Sequence, residues 1–370
     1  METYNKFDFS IKYYRDDAEY RASLIDISDA KTLLDIGCAD GWFPIHFSKL
    51  GLEVSAIDYS EKSIELTKQC INRCIPDSNI DLYYLGILDF SINKKFDITL
   101  LFSVLNWNKN IEEIINKVCS LTKKRIYIEC NFNFVPEYFD NKDSNYYIYS
   151  FDIIRELLWK NGFGNVKIIA NTVNGRNIIS ASRYLKDLYF LPWDKLDEQA
   201  LSNGIGRATA CGATWKAIDK DNNFYHIKLQ NKKKNELLWL KEQNNENFLC
   251  GDEIFETNGL LSGEFYIISK WLNLEKFKKT DKNIKIITKA LNWLHEKGYA
   301  HCDLGSYHTP MVNGIPKIID FGHLTKIGTS YNNVFSSNFN GLSINYPKTY
   351  LIEENIDFEK FNLSLNKNGD

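Results

Sequence analysis

Two short stretches of this 370-residue chain carry residue types and spacings that could do chemistry on a nucleotide. The first is the run DIGCADG at residues 35–41, which combines carboxylates with glycines. The second is His301, Cys302 and Asp303, followed seventeen residues after that aspartate by Asp320 in the run DFG. Glycines let a backbone approach a ligand closely, while carboxylates can accept ribose hydroxyls or hold a hard cation. We therefore expect two nucleotide sites, with two chemistries, in one chain.

The first stretch lies between a predicted strand and a predicted helix. The strand TLLDI leads into the glycines, and the helix carries Pro44 in its first turn and stops at Gly51, as these residue types favour. The N–H groups of a helix N-terminus can bind an anionic ligand. The next strand, EVSAID, ends in Asp58, whose carboxylate could accept both ribose hydroxyls of a nucleoside. Together these features predict an α/β domain that binds a nucleoside.

Strands and helices alternate along the chain from residue 32 to residue 130. Short β-rich runs take turns there with helical ones, an order typical of a parallel, doubly wound sheet. Two more strand-like runs, at residues 166–173 and 177–183, are joined by Asn174 and Gly175, a dipeptide that favours a tight hairpin turn. We expect the sheet to end in this antiparallel pair.

The pattern DxGxxxG with an acidic residue at its head, followed by Asp58, resembles the class I S-adenosylmethionine-dependent methyltransferases over residues 10–183. The resemblance implies a Rossmann-like domain with S-adenosylmethionine as its cofactor. It places residues of this chain at the methionine moiety (Asp35, Gly37, Cys38, Gly41), the ribose (Asp58), the adenine (Asp89), the meeting point of cofactor and acceptor (Ser103) and the cofactor carboxylate (Arg15), and it adds Tyr59 to the residues that bind the cofactor. Ala39 stands where the family commonly has a glycine. The residues alone also allow a Rossmann-like domain for another nucleotide, and a surface position for Arg15.

The alternation stops at residues 184–200, which contain Pro192, and we place a domain boundary there. The expected organisation is a first domain of residues 1–185, a linker of residues 186–200 and a second domain of residues 201–370. In the second domain strands come first and helices later. A hairpin formed by ATWKAID and FYHIKLQ, a strand EFYIISKW and a helix IKIITKALNWLHEKG predict a small β lobe above a helical lobe.

The second stretch resembles the catalytic loop and the metal-binding DFG of the protein-kinase-like fold. Phosphoryl transfer needs one carboxylate to orient the attacking hydroxyl, here Asp303, and another to hold Mg²⁺ on the phosphates, here Asp320. The resemblance implies an α+β two-lobed domain that uses ATP with Mg²⁺ or Mn²⁺. It assigns further residues to the phosphate-covering turn (Gly212), the α- and β-phosphates (Lys228) and the ion-pair partner of that lysine (Glu236, with Glu242 as the fallback).

Two features of this domain depart from the kinase pattern. His308 stands five residues after Asp303, where a metal-binding asparagine is usual, and imidazole prefers softer ions than Mg²⁺. We still assign His308 to the metal beside Asp320. Only fifty residues follow Asp320, as in atypical kinases of the RIO and small-molecule types. A pseudokinase that binds nucleotide or only scaffolds therefore stays open.

The order of the two domains resembles the bifunctional kinase–methyltransferases of the WbdD type, which terminate bacterial O-antigen polymannose by phosphorylating the last sugar and methylating that phosphate. The resemblance implies a bifunctional transferase of surface-polysaccharide synthesis whose acceptor is a glycan or a small hydroxylated molecule. A methyltransferase with a regulatory pseudokinase, and a non-catalytic nucleotide-binding assembly module, remain alternatives. Those enzymes continue into a long coiled coil, so this chain could be a piece of a longer one.

Composition limits the partners and the compartment. With 45 Lys and Arg against 48 Asp and Glu the net charge is −3, which gives no reason to expect nucleic acid. The eight cysteines lack paired zinc spacing and are best explained as reduced thiols. The sequence shows neither a signal core nor a membrane-length apolar run. We expect a cytoplasmic location, with peripheral attachment to a glycosyltransferase complex at the membrane left open.

Overall fold

The computed structural model describes residues 17–134, 139–141, 146–172, 175–202, 205–209, 212–330, 351–353 and 355–367, so that Arg15 and Asn174 lie outside the described residues. The chain forms two compact units. The first comprises Met1–Ala208, Trp215–Asn223 and Asn258–Leu261, and the second comprises Thr209–Thr214, Phe224–Thr257 and Ser262–Asp370. Residues 186–200, predicted as a linker, are part of the first unit, where Asp197 forms an ion pair of 2.8 Å with Lys216.

The described elements of the first unit follow the predicted alternation up to residue 130. In chain order they are α1 (Ala18–Ser23), β1 (Thr32–Ile36), α2 (Trp42–Lys49), β2 (Glu53–Asp58), α3 (Glu61–Cys74), β3 (Ile80–Tyr84), β4 (Phe96–Phe102), α4 (Ile111–Leu121), β5 (Thr122–Cys130), β6 (Phe132–Asn133), β7 (Phe139–Asn141), β8 (Tyr146–Ser150), α5 (Phe151–Lys160), β9 (Asn165–Asn171), β10 (Asn177–Ser182), β11 (Tyr184–Leu185), β12 (Leu188–Phe190) and α6 (Glu198–Ser202).

The main sheet of the first unit has the strand order β3-β2-β1-β4-β5-β10-β9. Strands β1 to β5 run parallel, with Asp35 of β1 opposite Ala56 of β2 and Leu100 of β4. Strand β10 runs antiparallel to both β5 and β9. The predicted doubly wound sheet with an antiparallel end is therefore confirmed.

Burial explains why these residues form a sheet covered by helices. All seven residues of β4 are buried, as expected for a central strand with both faces covered. Helix α3 begins after Ser60, whose hydroxyl accepts from the N–H of Ser63, and α5 begins after Ser150 in the same way. The core around these strands is formed by apolar side chains including Leu33, Phe43, Phe47, Val54, Ile98, Leu100 and Ile178.

The second unit places strands before its long helix, in the predicted order. Strands β13 (Ala208–Thr209) and β14 (Gly212–Ile218) have residues in both units, and the following elements are β15 (Phe224–Gln230), α7 (Lys234–Glu242), β16 (Glu253–Phe255), β17 (Phe265–Lys270), α8 (Asp281–Glu296), β18 (Tyr299–Ala300), β19 (Met311–Val312), β20 (Ile315–Pro316), β21 (Thr325–Lys326) and α9 (Asn355–Lys367). Strand β17 pairs antiparallel with β15 and with β16.

Helix α8 buries the apolar face that its sequence predicts. Ile287, Leu291 and Leu294 are fully buried, and Ile284 packs at the edge of the same cluster. They meet α7 and α9 through Leu240 and other side chains, namely Leu237, Phe361 and Leu365. Within the part of the chain that the structure describes, every helix is too short or too polar to serve as a membrane span.

We expect Gly212→Ala to destabilise the second unit. Gly212 has a φ of +143°, and a Cβ added there would lie 2.0 Å from the carbonyl oxygen of Leu229. Because that atom is backbone, β15 must shift, at a cost of about 2–3 kcal/mol in the free energy of unfolding by urea. Gly298→Ala is the matched control, since its φ is +78° with nothing within 4 Å. Equal losses for the two variants would contradict the steric explanation.

Candidate functional sites

The loop after β1 is held in a tight conformation that two glycines permit. Gly37 and Gly41 have φ values of +79° and +82°, and a Cβ on either would lie 2.6 Å from a side chain, that of Val104 or Thr67. The N–H groups of Gly37 and Cys38 donate to the carbonyl of Ile57 at the end of β2. These contacts explain the predicted spacing, because a side chain at either glycine would strain the loop.

The backbone conformation of Ala39 explains why the resembling methyltransferases commonly have a glycine at this position. Its φ is +52°, in the left-handed region that residues with a Cβ seldom adopt. Its N–H donates to Oδ2 of Asp58 over 3.0 Å, and Oδ1 of Asp58 accepts from the N–H of Ser60 over 2.9 Å. The carboxylate predicted to hold ribose thus also shapes the loop.

Asp35 is the group of this site best suited to a cationic ligand. It is 2% exposed, and its Oδ2 has no hydrogen-bond partner among the described residues. Burial, assisted by the charge of Asp58, raises the pKa of Asp35 to about 7, although the charge of Arg21 opposes the shift. A buried carboxylate with an unpartnered oxygen fits the ammonium and sulfonium charges of S-adenosylmethionine.

The remaining predicted residues lie at the carboxyl ends of the strands or just beyond them. Tyr59 follows β2 and is 79% exposed, and Asp89 is exposed in the turn after β3. Ser103 follows β4 with a φ of +60°. Because ligands of doubly wound sheets bind outside the carboxyl ends of the strands, these positions agree with the predicted cofactor site.

A buried charge network behind Ser103 was missed by the sequence analysis. The hydroxyl of Ser103 donates to Oε2 of Glu129 over 2.7 Å, and Arg21 Nη1 donates to the same oxygen over 3.0 Å. Arg176 Nη1 donates to the hydroxyl of Ser103 over 2.8 Å. The available signal was Glu129 near the end of an apolar strand, RIYIEC, since an ionised residue there needs partners.

We expect the affinity for S-adenosylmethionine to rise with pH up to about pH 7 through the titration of Asp35. Its folded-state pKa of about 7 lies above the ordinary value of 3.8, so between about pH 4 and pH 7 the folded protein keeps a proton that the unfolded chain has lost. The free energy of unfolding therefore falls as the pH rises through this window, and the full cost of the ionised Asp35 is present above pH 7. A cationic ligand binds the ionised form, so Kd should fall about 25-fold from pH 5.5 to pH 7.5.

Calorimetry at several pH values checks this expectation. Asp35→Asn should weaken binding, remove this pH dependence and, because it removes a buried charge, raise the free energy of unfolding at pH 8. A wild-type Kd that stays constant from pH 5.5 to pH 7.5 would contradict the role of Asp35.

The second site brings together three of its predicted residues. Lys228 Nζ lies 2.6 Å from Oδ1 of Asp320, and His308 Nε2 lies 3.7 Å from Oδ2 of the same carboxylate. Burial alone would raise the pKa of Asp320, but Lys228 and His308 hold it well below its usual range. Asp320 is therefore ionised over the whole physiological range of pH.

The hydrogen bonds of His308 fix its tautomer. Its Nδ1 lies 2.5 Å from the carbonyl oxygen of Asp303, so this nitrogen donates. Burial lowers the pKa of His308, which favours the neutral ring with an unprotonated Nε2 directed at Asp320. Asp320 and His308 together could hold a divalent cation. Among the described residues there is no group of three or more His, Cys, Asp or Glu side chains that could hold a metal ion. Mg²⁺ commonly takes its remaining ligands from phosphates and water.

The loop that carries Asp303 is bonded to helix α9 through Asp357. The fully buried Asp357 accepts from the N–H groups of His301 and Cys302, each over 2.8 Å. Burial raises the pKa of Asp303, whereas Lys360, whose Nζ lies 3.9 Å from its Oδ1, lowers it. Sequence reasoning missed Asp357 and Lys360, because neither lies in a motif and both come from a helix more than fifty residues away.

The expected ion pair between Lys228 and Glu236 is wrong in this structure. Glu236 lies in the first turn of α7, where its Oε1 is 3.4 Å from Nζ of Lys233, three residues earlier. Lys228 instead pairs with Asp320. Gly212 is the first residue of β14, so it lies at the end of the predicted phosphate-covering turn, whose residues 210–211 are outside the described part of the chain.

Comparison with known proteins gives independent support for the methyltransferase domain. Residues 27–161 match the model of a methyltransferase domain. The malonyl-[acyl-carrier protein] O-methyltransferase of Buchnera aphidicola subsp. Baizongia pistaciae (strain Bp) is 32% identical over 92 residues, which are 25% of this chain and 35% of the relative. This chain thus matches about a third of that enzyme's length.

Solved structures of WbdD resemble most of the chain. One, at 2.2 Å resolution, is 14% identical, with a TM-score of 0.59 over 87% of this chain and 78% of that chain. Another, of the bifunctional kinase-methyltransferase WbdD, is 13% identical, with a TM-score of 0.54 over 85% of this chain and 77% of that chain. At these identities the likeness concerns the fold. The chain therefore contains a methyltransferase domain, and over 87% of its length its fold is similar to that of WbdD.

Proposed function

We propose that this chain is a bifunctional transferase of surface-polysaccharide synthesis. It phosphorylates a hydroxyl of a glycan or other small acceptor with ATP, and it methylates the product with S-adenosylmethionine. The observation that carries the proposal is the convergence of Lys228, Asp320 and His308 in a chain whose other unit contains a methyltransferase domain. The same proposal gives it a membrane-bound glycosyltransferase complex as a partner.

The proposed methyl transfer makes modest demands on the protein. Bound S-adenosylmethionine supplies an electrophilic methyl group on a cationic sulfur. An oxygen of a phosphate monoester is already anionic and attacks without losing a proton, so the site needs alignment rather than a strong general base. Asp35 would hold the positive charges of the cofactor and Asp58 its ribose, while Ser103 faces the acceptor side.

The proposed phosphoryl transfer assigns a role to each carboxylate of the second unit. Asp303 orients the acceptor hydroxyl and takes its proton as the oxygen attacks the γ-phosphorus and ADP leaves. Asp320 and His308 would hold the divalent cation, whose charge stabilises the phosphates. Lys228 would transfer its contact from Asp320 to the α- and β-phosphates, which is a short movement because its Nζ already lies at this carboxylate.

A methyltransferase with a regulatory pseudokinase is the second candidate. It is favoured by Glu236, which pairs with Lys233 and leaves Lys228 bonded to Asp320. An inactive kinase-like domain could keep this arrangement because nothing in it would need to move. The two candidates differ in whether the second unit transfers phosphate.

Thermal unfolding with each nucleotide tests the proposal. The midpoint temperature of unfolding should rise with S-adenosylmethionine, and separately with ATP plus Mg²⁺ or Mn²⁺, because a ligand that binds only the folded state stabilises it. A glycan acceptor should then take up phosphate from ATP and become a substrate for methylation. Stabilisation by S-adenosylmethionine alone would support the pseudokinase candidate. Efficient methylation of the acceptor without ATP would refute the order of the two steps.

A further inference from the structure

The second unit presents a concentration of lysine side chains on the exposed side of α8 and in the segment before it. Residues 275–289 contain six lysines, two acidic residues and no arginine, which gives them a net charge of +4 in a chain whose net charge is −3. All six lysines are exposed, and we call them the basic face: Lys276, Lys278, Lys279, Lys282, Lys285 and Lys289. The proposed phosphoryl-transfer site uses none of them.

The lysines of α8 point away from the side of the helix that packs in the core. Lys282, Lys285 and Lys289 are spaced by three and four residues, which makes them neighbours on one face of the helix. Ile287 and Leu291 of the same helix are fully buried. The apolar side chains therefore fix α8 in the second unit, and the helix holds a row of cations toward solvent.

Little of the positive charge of the basic face is neutralised within the described part of the chain. Of its six lysines only Lys278 forms an ion pair there, in which its Nζ lies 3.0 Å from Oε2 of Glu275. Both side chains of this pair are exposed, and such a pair contributes little and is screened by salt. Asp281 is the other acidic residue of the segment. The basic face thus keeps most of its charge for a partner.

The positions of these lysines oppose the stability of α8. Like charges three and four residues apart repel each other on a helix. Lys282 is the second residue of α8, close to the positive end of the helix dipole, where an acidic residue would be favoured. A negatively charged surface outside the molecule would offset both penalties, so the arrangement favours a partner of that kind.

The basic face fits an extended anionic surface better than it fits a single anion or a nucleic acid. Its lysines are spread along the helix and do not converge on one point, and Lys282 and Lys289 alone are about 10 Å apart along the axis. Nucleic-acid sites commonly add arginine forks or exposed aromatic rings. The one aromatic residue of the segment, Phe277, packs against the core of the second unit instead. A bilayer with anionic lipids offers the smeared negative potential that clustered lysines recognise.

We propose that the basic face binds the surface of a bilayer that contains anionic lipids. The contact is electrostatic: the lysine ammonium groups lie among the lipid phosphates, while the apolar face of α8 stays in the core. This inference goes beyond the proposed function, because it gives the chain a direct contact with lipid that requires no partner protein. It brings the second unit to the kind of surface in which the proposed glycosyltransferase partner lies.

Sedimentation with vesicles tests the basic face. The wild type should bind vesicles made of equal parts of phosphatidylcholine and phosphatidylglycerol, and should not bind vesicles of phosphatidylcholine alone. The combined variant Lys282→Gln, Lys285→Gln and Lys289→Gln should bind the mixed vesicles about 100-fold more weakly, because each lysine near an anionic surface contributes about fivefold. In about 1 M salt, where the Debye length is about 3 Å, the wild type should lose most of its binding.

The matched control removes three exposed lysines of the first unit, in the combined variant Lys62→Gln, Lys68→Gln and Lys95→Gln. It changes the net charge by the same amount and should bind the mixed vesicles within about threefold of the wild type, because charges beyond a Debye length are largely screened. Equal losses for the two combined variants, or equal binding of the wild type to both kinds of vesicle, would overturn the proposal. Tighter binding to duplex DNA than to the mixed vesicles, at equal phosphate concentration, would replace lipid by nucleic acid as the partner.

Thermal unfolding separates loss of the basic face from loss of the fold. Because the substitutions in α8 remove repulsion and glutamine is a good helix former, this variant should unfold at the wild-type temperature or above it. A lower unfolding temperature would show that the lysines stabilise the helix itself, which would contradict the argument for an external partner. Vesicle binding needs neither ATP nor S-adenosylmethionine, so its outcome does not depend on whether the proposed activities are found.

Discussion

Asp303→Asn is expected to lower phosphoryl transfer by about 10²- to 10⁴-fold, the usual contribution of a positioned general base. The amide is close in size to the carboxylate, but it cannot take the proton of the acceptor hydroxyl. Because Asp303 is only partly exposed and Lys360 lies 3.9 Å from it, the substitution leaves the loop in place and changes the charge. Transfer of labelled phosphate from ATP to the acceptor is the measurement.

The control for this experiment is the other proposed activity, methyl transfer by the first unit. Asp303→Asn should bind S-adenosylmethionine as the wild type does and should methylate an acceptor that was phosphorylated beforehand. Asp320→Asn should instead abolish the stabilisation by ATP and Mg²⁺, because it removes a metal ligand. If Asp303→Asn keeps more than a tenth of wild-type phosphoryl transfer, Asp303 is not the base.

Asp357→Asn should destabilise the second unit by about 3 kcal/mol and abolish phosphoryl transfer. The carboxylate of Asp357 accepts from two backbone N–H groups and from His295 Nε2, so every neighbour is a donor. An amide would turn its own donors toward one of these groups, which loses at least one charge-assisted bond at a fully buried site. Urea unfolding, monitored by a spectroscopic signal from the second unit, measures the decrease in its free energy of unfolding.

Glu296→Gln is the matched control for Asp357→Asn. It removes one carboxylate from an exposed position on α8, so its effect should stay within about 0.5 kcal/mol. Binding of S-adenosylmethionine reports whether the first unit of Asp357→Asn remains folded. Wild-type stability of Asp357→Asn would show that the bonds from α9 to the loop are not needed to hold it.

Much of the fold could be predicted from the sequence because it depends on local patterns. The β4 run FDITLLF and the face of α8 are apolar at the spacing that burial requires, and both are buried as expected. Gly37 and Gly41 were also recognised from a local pattern, and glycine adopts their positive φ at the lowest cost. The antiparallel end of the sheet was indicated by its two strands and the dipeptide between them.

The contacts that could not be predicted join residues that are distant in sequence. Arg21 and Glu129 are 108 residues apart, and their bond depends on how β5 lies relative to α1. The predicted partner of Lys228 was wrong because proximity along the chain favoured Glu236. In the structure Lys228 pairs with Asp320, and Glu236 pairs with Lys233. No residue-level signal links Asp357 to the loop, since an aspartate in a helix is most often at the surface.

The bond between α9 and the loop of Asp303 has a consequence for the order of events during synthesis. The first unit has all of its residues once the ribosome has passed Leu261, whereas Asp357 emerges almost a hundred residues later. Domains generally fold as units as they leave the ribosome. A nascent chain could therefore bind S-adenosylmethionine while the loop of Asp303 still lacks its bonds to α9. Premature termination before α9 would yield a protein with only the first of its two proposed activities.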